Sequence, residues 1–287
     1  KAGLFPLFFW LPDSYPTAPG PVTAIFAGLL TKVGVYAIIR TQTLMFPPGD
    51  GGANWGDDVL LWVAAATMIV GVIGAIAQDD MKRILAFHII SQIGYMIMGL
   101  GLFTVVGVAA AVFYVIHHIV VKTALFLVAG LVDHRAGSSR LSSVGGLVRS
   151  APVIAALFAV PALSLAGLPP FSGFLAKFAL VDAGLSQGSS AIVAVALAVG
   201  LFTLFSMTKI WTGAFWGGAE TEPERDPQTT DRFGGPPLMV LATLSLVAIS
   251  ISFSIWAGPI HELSQRAAED LLNPAGYIRA VLGEAAP

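Results

Sequence analysis

Residues 105–132 read VVGVAAAVFYVIHHIVVKTALFLVAGLV, an apolar run that contains two histidines and one lysine. About 20 apolar residues in a helix cross a bilayer, so this run is long enough to span one. Tyr114, His118 and Lys122 are spaced i, i+4 and i+8 and therefore share one helix face. A lysine at the centre of a membrane costs roughly 2.5–3.5 kcal/mol. We interpret this stripe as part of a proton path; the alternative is a set of polar residues satisfied by neighbouring helices.

The composition of the whole chain is typical of a membrane protein. Of its 287 residues, 56% are hydrophobic and 11% are charged, and the mean hydropathy is +0.80. Soluble domains carry about 25% charged residues, so we predict an all-α, polytopic membrane helix bundle. The lipid bilayer is then a partner, and nothing suggests nucleic acid. The absence of cysteine excludes disulfides and thiolate metal sites.

Apolar segments separated by polar turns predict one transmembrane domain over residues 1–258. The sequence begins inside an apolar segment, so we interpret residues 1–11 as half of a helix and the chain as the C-terminal portion of a longer protein, truncated at its N-terminus. The spans predicted after it are 21–40, 59–78, 84–103, 105–132, 151–185, 191–216 and 236–257. Residues 259–287 are predicted to form an amphipathic or loose tail outside the cytoplasm.

One of these spans is expected to be broken. The sequence LPPFSG at 168–173 lies in the middle of the apolar segment 151–185. A straight helix does not accommodate consecutive prolines, and in lipid the freed main-chain groups must be covered by protein or water. We therefore predict a discontinuous helix around Pro169, Pro170 and Gly173. Such broken helices recur at ion sites in transporters.

The basic residues of the loops predict the orientation. By crossing parity, one side of the membrane holds Lys82, Arg83, Arg135, Arg140, Arg149, Arg225 and Arg232. The opposite side holds Arg40, Arg266 and Arg279. The positive-inside rule makes the first side cytoplasmic and places the C-terminus outside. We expect a multi-pass protein of the plasma membrane of a bacterium.

Lysines recur in or beside the predicted spans. They are Lys1, Lys32, Lys82, Lys122 and Lys177. Lys82 lies at the cytoplasmic end of its span and could reach inward. Removal from water and a second cation nearby both favour the neutral form of an amine, so such lysines can exchange protons. Histidine titrates near neutral pH, and we predict a proton-transfer row made of Lys32, Lys122 with His118, and Lys177.

Other polar residues receive a secondary role. His88 shares a helix face with Gln92 and Tyr95. His117 points about 100° away from His118, so the pair is a poor chelate and His117 is expected to contribute less than His118. We predict no metal site and no cofactor, since the sequence has neither a phosphate-binding loop nor metal ligands at a standard spacing.

Carboxylates are scarce in the predicted spans. Asp182 is the one candidate, and it lies near the outer end of its segment. A dedicated sodium site needs oxygen ligands, preferably carboxylates. The lysine chemistry of this chain therefore favours proton transfer over cation coordination. Lys209, near the end of another span, is expected to extend to the membrane interface.

Motifs along residues 1–180 resemble those of a known family. They are KAGLFPL (1–7), WLPD (10–13), LLTKVGVY (29–36), DMKRILAF (80–87), SQIGY (91–95), HIVVKTALF (118–126) and AGLPPFSGFLAKF (166–178). Together they resemble the proton-translocating antiporter-like subunits that respiratory complex I and Mrp-type cation/proton antiporters share. FWLPDSY (9–15) and AFWG (214–217) resemble the D-type subunits of the Mrp branch.

The resemblance implies a fold of two inverted five-helix repeats, each with one broken helix. The second repeat would be nearly complete in this chain. The first would be represented by its broken helix and its final helix. By resemblance, Lys1 is the lysine of the first broken helix and pairs with a glutamate upstream of this sequence.

The resemblance also implies roles for the remaining lysines. Lys32 would pass protons toward the centre, where Lys122 is flanked by His118. Lys177 would be the terminal exchange site in the second broken helix, and Lys82 matches a family lysine after the short cytoplasmic loop. Some relatives carry a histidine where Tyr114 stands, and this departure puts a role for Tyr114 in the proton path in doubt.

These features leave more than one function open. The first is a subunit of a multisubunit Na⁺/H⁺ antiporter, which is a secondary transporter and no enzyme, with other membrane subunits as partners and protons and Na⁺ as ions. The second is a proton-pumping subunit of an NADH:quinone oxidoreductase or a membrane hydrogenase. A channel or a purely structural subunit is the third. The lysine row would be the same in the first two, so the residues favour the first only through the Mrp-like motifs.

Overall fold

The computed structural model describes residues 1–46, 55–217 and 235–283, without the side chains of 55–57. The described part is helical and contains no β-strand. Its α-helices are α1 Trp10–Ser14, α2 Gly20–Ile25, α3 Thr31–Met45, α4 Trp55–Ala77, α5 Met81–Gly101, α6 Val105–Ala136, α7 Leu147–Ser150, α8 Pro152–Ala166, α9 Ser172–Ser186, α10 Ser190–Ile210, α11 Pro237–Ile255, α12 Ala257–Leu272 and α13 Ala275–Leu282. Two π-helical segments, Phe26–Leu30 and Trp211–Trp216, join α2 to α3 and extend α10.

The centre of the bundle is formed by α5 and α6. Helix α5 is buried along almost its whole length, and α6 packs against α2, α5, α8, α9, α11 and α12. By contrast, α4, α10 and α11 expose apolar side chains such as Trp62, Leu201 and Leu238. Polar residues on α5 and α6 are therefore enclosed by protein, whereas the outer helices present the apolar surface expected of lipid-facing segments.

The predicted helix bundle is confirmed. Within the described residues, six helices are long and apolar enough to cross a membrane: Gly20–Met45, Asp58–Ala77, Met81–Gly101, Val105–Ala136, Ser190–Trp216 and Pro237–Ile255. They correspond to the predicted spans other than 151–185. Arg225 and Arg232, which contributed to the predicted orientation, lie outside the described residues.

The predicted break is confirmed in the segment 151–185. Helix α8 ends at Gly167, whose φ of 88° is in the left-handed region that favours glycine. Phe171 is extended, and α9 begins at Ser172. The peptide bond between Pro169 and Pro170 is cis. The two short helices therefore leave main-chain carbonyls at the end of α8 free for other partners.

The half helix predicted over residues 1–11 does not form, and the chain turns at residues 5–9 instead. Helix α1 begins only at Trp10. The reason is a repeated pattern: AGLFP at 2–6 parallels AGLPP at 166–170, and Gly3, like Gly167, has a positive φ, here 83°. A left-handed glycine and a nearby proline are incompatible with a continuous helix in both places, and at Gly167 they end α8. Lys1 precedes these turns and is exposed.

The tail is helical rather than loose. Ala268 of α12 is buried with Val108 and Ala109 in the first turns of α6. The Arg40 guanidinium lies 4.0 Å from the ring centroid of Tyr277 in α13. Helix α12 has its other side exposed, as expected for an amphipathic helix. The tail therefore lies at the same end of the bundle as Arg40, as crossing parity predicts; residues 284–287 lie outside the description.

Glycines allow α4 and α5 to pack closely. A Cβ placed on Gly71 would lie 2.3 Å from the main-chain nitrogen of Ser91, and one on Gly94 would lie 2.7 Å from the Ala64 carbonyl oxygen. The Ser91 hydroxyl donates to the Met68 carbonyl oxygen at 3.1 Å across the same interface. This close approach fixes α5, and with it the polar residues that α5 carries.

We predict that Gly71→Ala destabilises the bundle. The added methyl group meets main-chain atoms that cannot move aside independently, and overpacking of this kind costs about 1–3 kcal/mol. The thermal unfolding midpoint of purified protein should fall. Gly258→Ala is the matched control because a Cβ there meets nothing within 4 Å. Equal midpoints for the two variants would contradict the predicted close contact.

Candidate functional site

Buried polar side chains form a continuous group inside the bundle. Lys122, His118, His88 and Gln92 are 0% exposed, and Lys32 is 3% exposed. Such groups are expensive in a membrane interior unless they are hydrogen-bonded or serve a function. Helices α3, α5, α6 and α9 contribute these groups, so the site is located at the core of the fold.

Lys122 lies at the middle of this group. Its Nζ donates to the Leu85 carbonyl oxygen of α5 at 3.1 Å. The Lys122 amine is close enough to Lys32 and Lys177 for electrostatic interaction with both. The structure therefore places Lys122 where its amine interacts with both other lysines of the predicted row.

His118, one turn before Lys122, is placed for a relay role. Both of its ring nitrogens are buried, and neither has a hydrogen-bond partner among the described residues. The ring interacts electrostatically with Lys32 and Lys122. An imidazole can bind a proton at one nitrogen and release one from the other, so its position beside two lysines suits proton transfer.

Lys32 is held by the π-helical segment that precedes it. Its Nζ donates to the Ala27 carbonyl oxygen, and the Tyr15 hydroxyl donates to the Phe26 carbonyl oxygen at 3.2 Å. Segments of π-helix loosen the regular hydrogen-bond ladder and are frequent at functional sites. The π-helical insertion thus supplies the carbonyl that binds the Lys32 amine.

Lys177 is held by the broken helix. Its Nζ donates to the carbonyl oxygens of Leu165 and Ala166, at 3.0 and 3.1 Å. These belong to the last turn of α8, where free carbonyls and the helix dipole both favour a cation. The Nζ also lies 5.0 Å from the ring centroid of Tyr95. The break therefore creates the binding site of this lysine.

Aromatic rings join Lys177 to His118. Tyr95 stacks on Tyr114, with centroids 5.5 Å apart, and Tyr114 stacks on His118 at 6.3 Å. The Tyr114 hydroxyl donates to Gln92 Oε1, and the Tyr95 hydroxyl donates to the Ala196 carbonyl oxygen at 2.5 Å. Tyr114 thus belongs to the buried group in this structure.

His88 and His117 lie on two sides of this core. His88 Nε2 is 2.9 Å from Ser206 Oγ of α10, and the ring interacts electrostatically with Lys122 and Lys177. The His117 ring contacts the Tyr114 ring, and its Nδ1 is 2.9 Å from Ser172 Oγ of α9. His117 therefore faces the broken helix.

The remaining predicted lysines lie outside the buried row. Lys1 is exposed. Lys82 does not reach inward as expected; its Nζ forms an ion pair with Asp133 Oδ2 at 2.5 Å, at the end of α6. The reason is that Asp133 ends the apolar stretch of α6 beside the start of α5, so a carboxylate is available there. Asp182, the carboxylate candidate, is exposed.

Several partners were missed from the sequence. Lys209 Nζ donates to the carbonyl oxygens of Ile76 and Gln78, at 3.0 and 2.5 Å, and so caps the end of α4, a partner that the sequence did not predict. These partners could not be predicted because every residue has a main-chain carbonyl, and nothing in the sequence distinguishes Ser172 from the other serines. The described residues contain no group of three or more His, Asp or Glu placed to hold a metal ion.

Stability variants can test the Lys82–Asp133 pair. Its side chains are 12% and 38% exposed, and pairs of this kind contribute up to about 1 kcal/mol. We expect Lys82→Asp and Asp133→Lys each to lower the thermal midpoint, since each places like charges together. The double variant should regain most of the loss because it restores an opposite-charge pair. Additive losses in the double variant would show that the two side chains do not interact.

The sequence of this chain is similar to those of known membrane proteins. The sequence family described as NADH:quinone oxidoreductase/Mrp antiporter, TM, matches residues 1–206. The D-type subunit of the Na(+)/H(+) antiporter of Alkalihalophilus pseudofirmus is 47% identical over 99% of this chain and 56% of its own length. Its counterpart from Bacillus subtilis, also a D-type subunit of a Na(+)/H(+) antiporter, is 37% identical over the same shares. The chain thus spans about half the length of the curated relatives it matches.

A solved structure agrees with these sequence matches. A chain of the Mrp complex from Dietzia sp. DQ12-45-1b superposes with a TM-score of 0.89 at 38% identity, covering 99% of this chain and 59% of that one. Respiratory complex I from Thermus thermophilus with bound NADH gives a TM-score of 0.75 at 26% identity, over 94% and 56%. The antiporter-like helix bundle predicted from the sequence motifs is thereby confirmed.

Proposed function

Because this chain belongs to the NADH:quinone oxidoreductase/Mrp antiporter transmembrane family, we propose that it forms the proton-translocating part of a multisubunit Na⁺/H⁺ antiporter. It acts as a secondary transporter subunit rather than an enzyme. Its partners are the other membrane subunits of the complex, and its ions are protons and Na⁺. The observation that carries the proposal is the row Lys32, Lys122 and Lys177, held inside the bundle by main-chain carbonyls.

The chemistry of the row supports proton transfer. Each of the three amines donates to neutral carbonyl oxygens, and each interacts electrostatically with its neighbour in the row. A proton that arrives at one lysine therefore raises the cost of a proton on the next. His118 interacts electrostatically with both Lys32 and Lys122. Neither of its ring nitrogens has a hydrogen-bond partner among the described residues. Charge can thus move along the row in steps.

The antiporter is favoured over the redox complex by the degree of similarity. The antiporter relative from Alkalihalophilus pseudofirmus is 47% identical, and the matched chain of complex I is 26% identical. The row itself does not separate the two functions, because lysines that exchange protons serve either. The sodium dependence of proton movement is the property that separates them.

We expect Lys122→Ala and Lys177→Ala each to abolish Na⁺-dependent proton exchange, since each removes one proton-carrying lysine of the row. The measurement is dequenching of a pH-sensitive dye in everted vesicles that contain the assembled complex. Lys209→Ala is the matched control: Lys209 also binds carbonyls of another helix but stands outside the row. Wild-type exchange in both row variants would overturn the proposal, and NADH-driven acidification without sodium dependence would favour the redox complex.

We also propose that the protein lies in the bacterial plasma membrane with its C-terminus outside. The chain has no cysteine, so single cysteines can be labelled cleanly. We expect a membrane-impermeant maleimide added to intact cells to label Gly258→Cys and to leave Arg149→Cys unlabelled until the cells are permeabilised. The opposite labelling pattern would reverse the proposed orientation.

A further inference from the structure

His117 makes a direct contact with the broken helix. Its Nδ1 is 2.9 Å from the hydroxyl oxygen of Ser172, the first residue of α9. His117 is 1% exposed and Ser172 is 0% exposed. The hydrogen bond therefore lies in the protein interior and joins α6, which carries the centre of the row, to α9, which carries Lys177.

The main chain is shaped to allow this contact. A Cβ placed on Gly173 would lie 1.8 Å from the Ser164 carbonyl oxygen and 3.1 Å from His117 Cε1. No side chain fits there, so only glycine lets the start of α9 approach both α8 and the imidazole ring. The Ser164 hydroxyl is 3.5 Å from Ser172 Oγ, longer than an ordinary hydroxyl hydrogen bond, so His117 is the closer partner of Ser172.

The second ring nitrogen of His117 is enclosed by protein. His117 Nε2 is buried and has no hydrogen-bond partner among the described residues. The ring meets Tyr114 edge-on, with centroids 5.7 Å apart, and it interacts electrostatically with His118 and Lys177. The imidazole is thus fixed at one nitrogen and available at the other, between the centre of the row and its end.

We propose that His117 is an intermediate proton carrier between His118 and Lys177, and that Ser172 is the positioning residue that holds its ring. In the neutral ring Nδ1–H donates to Ser172 Oγ and leaves Nε2 as the acceptor. When a neighbouring cation of the row gives up a proton to Nε2, the donor becomes neutral and the imidazole becomes charged. Release of that proton from Nε2 restores the neutral ring. This inference rests on the proposed function, since it assumes that protons move along the row.

The test uses His117→Asn, Ser172→Ala and the double variant in the assembled complex. Asparagine can still hydrogen-bond Ser172 but cannot carry a proton, so we expect exchange to fall at least about a hundredfold, the lower end of the range of acid–base effects. Ser172→Ala should reduce the rate about fivefold, which corresponds to one hydrogen bond. In the His117→Asn background, Ser172→Ala should cause no further loss, because Ser172 acts through His117. Losses that multiply would mean that Ser172 is only structural.

Controls separate this inference from the proposed function. Ser164→Ala removes a buried hydroxyl at the same break without removing the contact to His117, and it should retain wild-type exchange. Should His117→Asn fail to assemble, His117→Gln, whose amide reaches nearer the Nε2 position, should show the same loss. Wild-type exchange in a His117 variant, while Lys122→Ala is inactive, overturns the inference alone. Exchange that survives Lys122→Ala overturns the proposed function as well.

Discussion

An amine enclosed in a membrane protein must have an acceptor, and in this chain the acceptors are main-chain carbonyls. Lys32 binds the carbonyl of Ala27, Lys122 that of Leu85, and Lys177 those at the end of α8. A carbonyl accepts a hydrogen bond from an ammonium or from a neutral amine, whereas a carboxylate would stabilise the charged form alone. Lys82, paired with Asp133, represents the second arrangement. The row is therefore built from lysines that can lose a proton and remain hydrogen-bonded.

Irregular helices supply two of these carbonyls. The π-helical segment Phe26–Leu30 contains Ala27, and the break after Ala166 exposes the last turn of α8. At the break a continuous helix would use the carbonyl oxygens of Leu165 and Ala166 for its own hydrogen bonds, and in the π-helical segment the Ala27 carbonyl lies within reach of the Lys32 amine. The break also places the start of α9 against His117, so one irregularity positions both Lys177 and the neighbouring imidazole. Local departures from α-helix thus connect the fold with its chemistry.

Much of the site could be predicted because it depends on spacing along helices. The spacing of Tyr114, His118 and Lys122 predicts their common face, and consecutive prolines predict the break. Tertiary packing decides the rest: which carbonyl each lysine binds, and that His117 meets Ser172. The non-helical conformation of residues 2–6 could be found in principle, because AGLFP there parallels AGLPP at 166–170, but the apolar character of this segment favoured the interpretation as a helix.

The central claim is that lysines held by carbonyls change protonation state during transport. The direct measurement is ¹⁵N NMR of lysine side chains labelled at Nζ, recorded on the assembled complex with and without a sodium gradient. The account predicts that a neutral-amine signal of Lys122 is populated during turnover. An ammonium signal from Lys122 under every condition, in a complex that still exchanges sodium for protons, would contradict it.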